Sequence, residues 1–184
     1  MKTGYFDIET QYLFNEVGGR DNLDKLRLSV ACLIVDDESP EFYEEPEAAR
    51  LLERLEGLDL IVGHNVIRFD YLVLNAYVDY NVARRLSPKT LDTLAWIYAN
   101  TNCRVSLNNL ARNNVGHVKS GYGGDMPRLW REGKKDEVKM YCANDVELVK
   151  GIYQAGKRNG YIMFSRRLPD GSYDDEPVRL LVNW

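Results

Sequence analysis

A strict alternation of acidic and apolar residues near the start of the chain constrains its fold most. Asp7 and Glu9 lie two residues apart, and Phe6 and Ile8 alternate with them. Because successive strand side chains point to opposite faces, this pattern predicts a strand with both carboxylates on one face. The two apolar side chains would then enter the core behind them. Taken alone, the two acids are more typical of ordinary surface residues at a strand end.

A second pair of polar groups lies far along the chain. Tyr141 and Asp145 are four residues apart in a segment with helical periodicity, so both project from one side of a helix. This pair, too, is by itself typical of a helix surface. A buried group of carboxylates persists most readily around hard cations, because like charges raise one another's pKa. Together with Asp70, the two pairs predict a site for two Mg²⁺ or Mn²⁺ ions that hydrolyses a phosphodiester.

The whole chain alternates strand and helix patterns. Apolar residues alternate from Leu26 to Ile34, which predicts an antiparallel strand buried on one face. The order of elements predicts an α/β fold with a mixed sheet flanked by helices. The predicted strands cover 3–9, 27–35, 40–44 and 58–62, and the predicted helices run from Pro46 to Gly57, from Asp70 onward, and over 92–100, 106–114 (capped by Ser106) and 134–155.

The end of the chain predicts a β-hairpin. Two apolar segments, 161–165 and 178–182, flank an Asp-Gly turn within 169–172. We therefore expect residues 1–158 to form one domain, with a C-terminal hairpin extension over 159–184 packed on it. The hairpin either covers a sheet edge, closes over the site or binds a partner, and Trp184 favours docking over disorder.

Three segments resemble the RNase H-like 3′–5′ exonucleases of the four-acid DEDD type, the DnaQ-like group that includes polymerase proofreading domains. The segments are 6–10, 65–70 and 141–145. A tyrosine four residues before the last aspartate resembles the tyrosine subgroup, DEDDy. Two further segments, 63–65 and 91–94, resemble a bacterial helicase-associated branch, the YprB-like ribonuclease H-like domains.

The resemblance implies an activity and a role for each group. Asp7, Glu9 and Asp145 would hold the first metal ion. Asp7 and Asp70 would hold the second, and Tyr141 would position the attacking water. The implied reaction releases nucleoside monophosphates from the 3′ end of single-stranded DNA or RNA. In proofreading domains small residues precede a leucine after the first motif, whereas this chain has 11–13 as Gln-Tyr-Leu, so the wedge that separates terminal bases differs.

The candidate substrate-binding residues are Thr10, His64, Asn65 and Lys119. The amide of Asn65 can both donate and accept hydrogen bonds. His64 is alternatively a structural histidine held by hydrogen bonds. Lys119, with Tyr122 in the same glycine-rich segment, contacts a phosphate or stacks a base, unless the segment is a solvated connector.

Asp92 and the three cysteines can be explained by structural roles. Asp92 belongs either to the site or to a helix N-cap. The three cysteines, Cys32, Cys103 and Cys142, have neither CxxC nor zinc-finger spacing, which predicts buried thiols.

Composition is compatible with these expectations. A chain of 184 residues with 45% hydrophobic residues suits one domain with a sizeable core. The net charge of −4 argues against wrapping duplex nucleic acid through phosphate contacts alone. Bound cations would reverse the local sign at the site, so a nucleic-acid substrate is not excluded. The sequence shows no apolar signal region and no long apolar run, so a cytoplasmic setting without membrane contact is expected.

Three functions remain open at this point. The first is the metal-dependent exonuclease. The second is a nucleic-acid-binding module of the same fold with little or no turnover. The third is an interaction domain that works beside a helicase or another nucleic-acid-processing partner, with the hairpin as its docking element.

Overall fold

The centre of the fold is a mixed five-stranded sheet. The computed structural model describes residues 1–116, 121–168, 171–174 and 176–184. The strand order is β3-β2-β1-β4-β5, in which β1 is antiparallel to β2 and parallel to β4. The predicted mixed sheet is therefore confirmed. Its strands are β1 (Thr3–Thr10), β2 (Leu28–Val35), β3 (Glu41–Glu44), β4 (Leu60–Gly63) and β5 (Thr90–Asp92).

Helices cover both faces of this sheet. They are α1 (Ala48–Glu56), α2 (Asp70–Leu74), α3 (Val82–Leu86), α4 (Thr93–Thr101), α5 (Leu107–Asn114), α6 (Met126–Arg131) and α7 (Lys135–Asn159). The predicted helices correspond to α1, α2, α4, α5 and α7. Ser106 caps α5 as expected, since its side chain accepts from the backbone N–H of Asn109. The sequence did not indicate α3, α6 or β5, which span only 5, 6 and 3 residues and are too short to show a period.

Helix α7 continues beyond its predicted end at residue 155. It closes at Gly160, which adopts the left-handed region with φ +73° and donates its N–H to Gly156 O at 2.8 Å. Left-handed backbone costs glycine little because it has no Cβ, which explains the stop at this residue.

The expectation that β2 is half-buried is wrong. All eight of its residues are buried. One face packs under α4, α5 and α7, and the other packs under α1, α2 and α3. Val30, Cys32 and Ile34 contribute to the first core, whereas Leu33 and Val35 contribute to the second. A strand covered by helices on both sides is a nearly continuous apolar run, and β2 reads Leu-Ser-Val-Ala-Cys-Leu-Ile-Val.

The predicted C-terminal hairpin is present as a separate two-stranded antiparallel sheet. It consists of β6 (Tyr161–Phe164) and β7 (Val178–Leu181). Ile162 and Phe164 are fully buried in the core under α5 and α7. Of the predicted turn, residues 169 and 170 lie outside the described residues.

Asparagine side chains of α5 occupy the edge of β6 that β7 does not pair. The side-chain amide of Asn114 donates to Met163 O at 2.7 Å and accepts from Met163 N at 2.8 Å. Asn109 makes the same pair of bonds to Ser165, at 2.8 and 2.9 Å. These amides satisfy backbone groups that a neighbouring strand would otherwise satisfy. The hairpin is thereby held against a helix.

Trp184 docks on α7, as the sequence suggested. Its ring lies edge-on to that of Trp96, with centroids 4.8 Å apart, and its indole N–H donates to Tyr153 O at 3.4 Å. A Cβ at position 156 would lie 2.7 Å from the indole nitrogen, so Gly156 leaves the space that the ring occupies.

We propose that residues 159–184 are an extension packed on the domain formed by 1–158, and that both unfold together. Ile162→Ala would leave a cavity in the shared core and should lower the free energy of unfolding by about 2–5 kcal/mol. Leu181→Ala, at a side chain that is 71% exposed on the same hairpin, should change it by no more than about 0.5 kcal/mol. Urea unfolding followed by circular dichroism and tryptophan fluorescence tests this. Two separate transitions in the unaltered protein would contradict the proposal.

Candidate functional site

Strand β1 presents its acids as predicted. Phe6 and Ile8 are buried in the core under α1 and α2. Asp7 and Glu9 leave the opposite face and stay partly exposed. The strand period of two therefore delivers two carboxylates to the side of the sheet that α7 covers.

Asp70 reaches the same place from the first residue of α2. Strand β4 pairs with β1 only as far as Tyr5, opposite Val62. Beyond that point, the N–H of Ile8 donates instead to Asp70 Oδ1 at 3.1 Å in a buried hydrogen bond. Ile8 stands between the two β1 acids in sequence, so this bond fixes the Asp70 carboxylate beside them. The expectation that Asp70 begins a helix at the sheet edge is confirmed.

Helix α7 supplies the remaining two groups. Tyr141 and Asp145 are 4% and 1% exposed and line the same cavity, as their spacing of four predicts. Carboxylate oxygens of Asp7, Glu9 and Asp145 all lie within 4.8 Å of one another. Three such oxygens match the preference of hard divalent cations for oxygen ligands, so the donor set fits Mg²⁺ or Mn²⁺.

A cavity of about 330 Å³ joins these groups, and we call it the acidic cavity. Its lining includes the charged and hydroxyl groups that the sequence singled out: Asp7, Glu9, Asp70, Tyr141 and Asp145. An aromatic part of the same lining, which we call its aromatic side, consists of Tyr12, Phe14, Phe69 and Tyr122. The rings of Phe14 and Phe69 meet edge to face, with centroids 6.0 Å apart. Sequence reasoning did not identify Phe14 and Phe69 as cavity residues, because Phe14 belongs to no motif, Phe69 was given no role within the 65–70 segment, and the two lie 55 positions apart.

The three cysteines, which the sequence predicted to be buried thiols, differ in their burial. Cys142 is fully buried next to Asp7 and donates its S–H to the Asp7 carbonyl oxygen at 3.5 Å. Burial, with the nearby Asp7 carboxylate second, raises the pKa of the Cys142 thiol well above its usual range and that of Cys32 to about 12. Cys103 is only half-buried, so the expectation of buried thiols holds for two of the three.

Asp92 holds the loop that carries His64 and Asn65. Its Oδ1 accepts from Asn65 N at 2.9 Å and from Ala95 N at 3.0 Å, and its Oδ2 accepts from Ile67 N at 3.0 Å. Asp92 is thus the N-cap of α4, and it also fixes the turn in which Asn65 adopts φ +71°. A left-handed conformation is costly for most residues but is tolerated by asparagine.

His64 lines the acidic cavity and is also held by a hydrogen bond. Its Nδ1 lies 2.9 Å from Thr93 Oγ1, and that hydroxyl donates its own proton to Gly63 O at 3.0 Å. Nδ1 is therefore the donor in this bond. His64 is therefore held by a hydrogen bond and also lines the acidic cavity, and its contact with substrate stays a prediction.

The other predicted substrate-binding residues differ in their placement. Asn65 and Thr10 both line the acidic cavity. The Thr10 hydroxyl donates its proton to Tyr12 O at 3.0 Å, within the turn that follows β1. Lys119 lies outside the described residues. Tyr122, which the sequence analysis grouped with Lys119 as a substrate contact, lines the cavity and is 75% exposed.

The glycine-rich segment lies against the site tyrosine. A Cβ at Gly123 would stand 3.4 Å from the Tyr141 hydroxyl, and one at Gly121 would stand 3.4 Å from its ring. Both distances correspond to ordinary van der Waals contact, so the segment lies close to the phenol.

Comparison with protein families now gives the class of protein. Residues 4–155 match the model of the RNase_H superfamily. The chain belongs to this superfamily, and its fold is the RNase H-like nuclease fold that the sequence predicted.

A solved structure agrees with this fold. The family B DNA polymerase from the hyperthermophilic archaeon Pyrobaculum calidifontis has a similar fold, with a TM-score of 0.65 and 16% sequence identity. The match covers 85% of this chain and 24% of the polymerase chain, so the chain spans about a quarter of that protein's length. No curated protein matches the sequence. Among the helices of the described residues, none has the length and apolar character needed to cross a membrane.

Asp92→Asn tests whether the carboxylate holds the loop. An amide would present an N–H₂ group to one of the three backbone donors, so we expect the free energy of unfolding to fall by about 2 kcal/mol. The matched control is Asp79→Asn, because Asp79 is exposed and no hydrogen bond to it is seen among the described residues. Urea titration of both variants measures the difference. Equal stability of the two variants would show that the three bonds do not hold the loop.

Proposed function

We propose that this protein is a metal-dependent 3′–5′ exonuclease of the DEDDy type that acts on single-stranded DNA or RNA. The observation that carries the proposal is the convergence of four acids and Tyr141 on one cavity from β1, α2 and α7. The superfamily match and the polymerase with a similar fold support a nuclease function. The order and identity of the five groups support the DEDDy type.

Each carboxylate has a role in this proposal. Asp7, Glu9 and Asp145 would hold one Mg²⁺ or Mn²⁺ ion, and Asp7 and Asp70 would hold the other. When bound, two such ions activate a water and stabilise the attacking and leaving oxygens of an in-line displacement. The bond from Ile8 N to Asp70 Oδ1 orients that carboxylate before any ligand arrives. The site is therefore largely preorganised, which lowers the cost of assembling it around the substrate.

Tyr141 would position the attacking water through its hydroxyl. It is nearly buried on α7, and the glycine-rich segment lies close to its ring and hydroxyl. A hydroxyl both donates and accepts, so it can orient a water toward the scissile phosphate.

The aromatic side of the acidic cavity would hold the terminal nucleotide. Phe14 and Phe69 form an apolar wall, and Tyr122 stands at the rim. Bases stack on such rings without regard to sequence. Tyr12 and Leu13 from the divergent 11–13 segment also line this side, so they would replace the wedge of proofreading domains.

The finer assignments are part of the same proposal. The resemblance of 63–65 and 91–94 to YprB-like domains favours a helicase as a partner in the cell. A cytoplasmic setting remains a prediction from the sequence.

A direct assay tests the exonuclease. We expect a 5′-labelled single strand to shorten stepwise from its 3′ end with Mn²⁺ or Mg²⁺ and to stay intact with a chelator. Asp7→Ala and Asp145→Asn should each lower the rate by on the order of 10²–10³-fold or more. Glu147→Gln is the matched control, because Glu147 is exposed on the same helix and does not line the cavity. Intact substrate with the unaltered protein and either metal would refute the activity.

Tyr141→Phe tests the role of the hydroxyl. Removing it should lower kcat by about 10²-fold and leave KM nearly unchanged, since the ring still fills its place. Steady-state kinetics on a labelled oligonucleotide separates the two constants. An unchanged kcat would assign Tyr141 to packing alone.

A further inference from the structure

A groove leads away from the acidic cavity across the surface of α5. A second cavity, of about 490 Å³, shares His64 and Asn65 with the acidic cavity. A third, of about 240 Å³, shares Ser106 and Asn108 with the second. Each cavity therefore borders the next through two shared residues, and we call the second and third together the α5 groove. Tyr173, from the C-terminal extension, lies at its far end and is 49% exposed.

The α5 groove differs in charge from the rest of the chain. The chain carries a net charge of −4, and the acidic cavity contains four carboxylates. Along the α5 groove, by contrast, the described lining includes no aspartate and no glutamate. Its charged side chains there are Arg104 and Arg112. This charge pattern favours an anionic ligand in the groove.

Both arginines are available to such a ligand. Arg104 and Arg112 are exposed, and neither forms an ion pair with any residue that the structure describes. Elsewhere on the surface, Arg54 is bound to Glu41 at 2.8 Å and Arg131 to Glu16 at 3.0 Å. A guanidinium without a carboxylate partner can bind both oxygens of a phosphate.

The base of the groove is rigid. Arg112 lies on α5, and Arg104 lies two residues before the Ser106 cap of that helix. The hydrogen bonds from Asn109 to Ser165 and from Asn114 to Met163 fix α5 to β6. The C-terminal hairpin thus supports the groove from behind, and through Tyr173 it also supplies part of its wall.

We propose that the α5 groove binds the sugar-phosphate backbone of the single strand upstream of the 3′ end that enters the acidic cavity. Arg104 and Arg112 would each contact a phosphate, and Tyr173 would stack a base. The proposal rests on the exonuclease function above. It adds the path of the strand and a role for the C-terminal extension. The two arginines and Tyr173 would contact the substrate outside the acidic cavity, in which the reaction would take place.

Binding to a strand of about twelve nucleotides tests the groove without hydrolysis. We would measure fluorescence anisotropy in the Asp145→Asn background, with and without Arg104→Ala and Arg112→Ala together. Loss of two phosphate contacts should raise Kd about tenfold at low salt and reduce the slope of log Kd against log salt by about 1.4. The control pair is Arg84→Ala with Arg158→Ala, which removes the same charge from exposed arginines outside the groove. We expect this control to change Kd by less than about twofold. An equal effect of the two pairs, or no effect of the first, would overturn the proposal.

Hydrolysis of a dinucleotide separates this proposal from the exonuclease itself. A dinucleotide is too short to extend along the groove, so the arginine pair should leave its kcat and KM unchanged. For the longer strand the same pair should raise KM about tenfold with kcat unchanged. A loss of dinucleotide hydrolysis in the pair would refute a role confined to the upstream strand. If the unaltered protein cleaves neither substrate, the exonuclease fails, while the anisotropy result still decides whether the groove binds a single strand.

Discussion

One buried hydrogen bond organises the site: the N–H of Ile8 donates to Asp70 Oδ1 at 3.1 Å. It exists because β4 stops pairing with β1 at Tyr5, which leaves the next part of β1 without a neighbour on that side. The first residue of α2 takes the place of that neighbour. The contact replaces strand pairing at this point and holds Asp70 at the cavity that Asp7 and Glu9 also line, and α7 adds Tyr141 and Asp145 to the same cavity.

The acidic cavity and the α5 groove differ in charge. The acidic cavity concentrates negative charge, whereas the described lining of the α5 groove has two arginines and no acidic residue. A strand of nucleic acid is suited to both, because its phosphates can bind metal ions at one end and guanidinium groups along its length. Asp92 stabilises the loop that joins the two regions. This loop carries His64 and Asn65, which line both the acidic cavity and the α5 groove.

The sequence predicted the mixed sheet, five of the described helices (α1, α2, α4, α5 and α7) and the five candidate site groups, because these depend on local periods and on motifs of a few residues. It underestimated the burial of β2, although the nearly continuous apolar run in that strand was visible. It gave no indication of Arg104 and Arg112 as a pair, or of Phe14 facing Phe69. Their proximity depends on how distant segments pack, and no local pattern records that. The sequence left Asp92 open between the site and a helix cap; the structure shows the cap, and its bonds to the loop at 65–67 could be found only in three dimensions.

The sequence by itself determined which groups face together on each element, since a strand repeats every two residues and a helix every 3.6. These periods place Asp7 with Glu9 on one face of β1, and Tyr141 with Asp145 on one face of α7. Only the tertiary structure decided that these pairs meet, that Asp70 joins them through Ile8, and that the hairpin supports a groove leading from their cavity. The physical reason is that distances between elements depend on packing both faces of the sheet, which is a property of the whole chain.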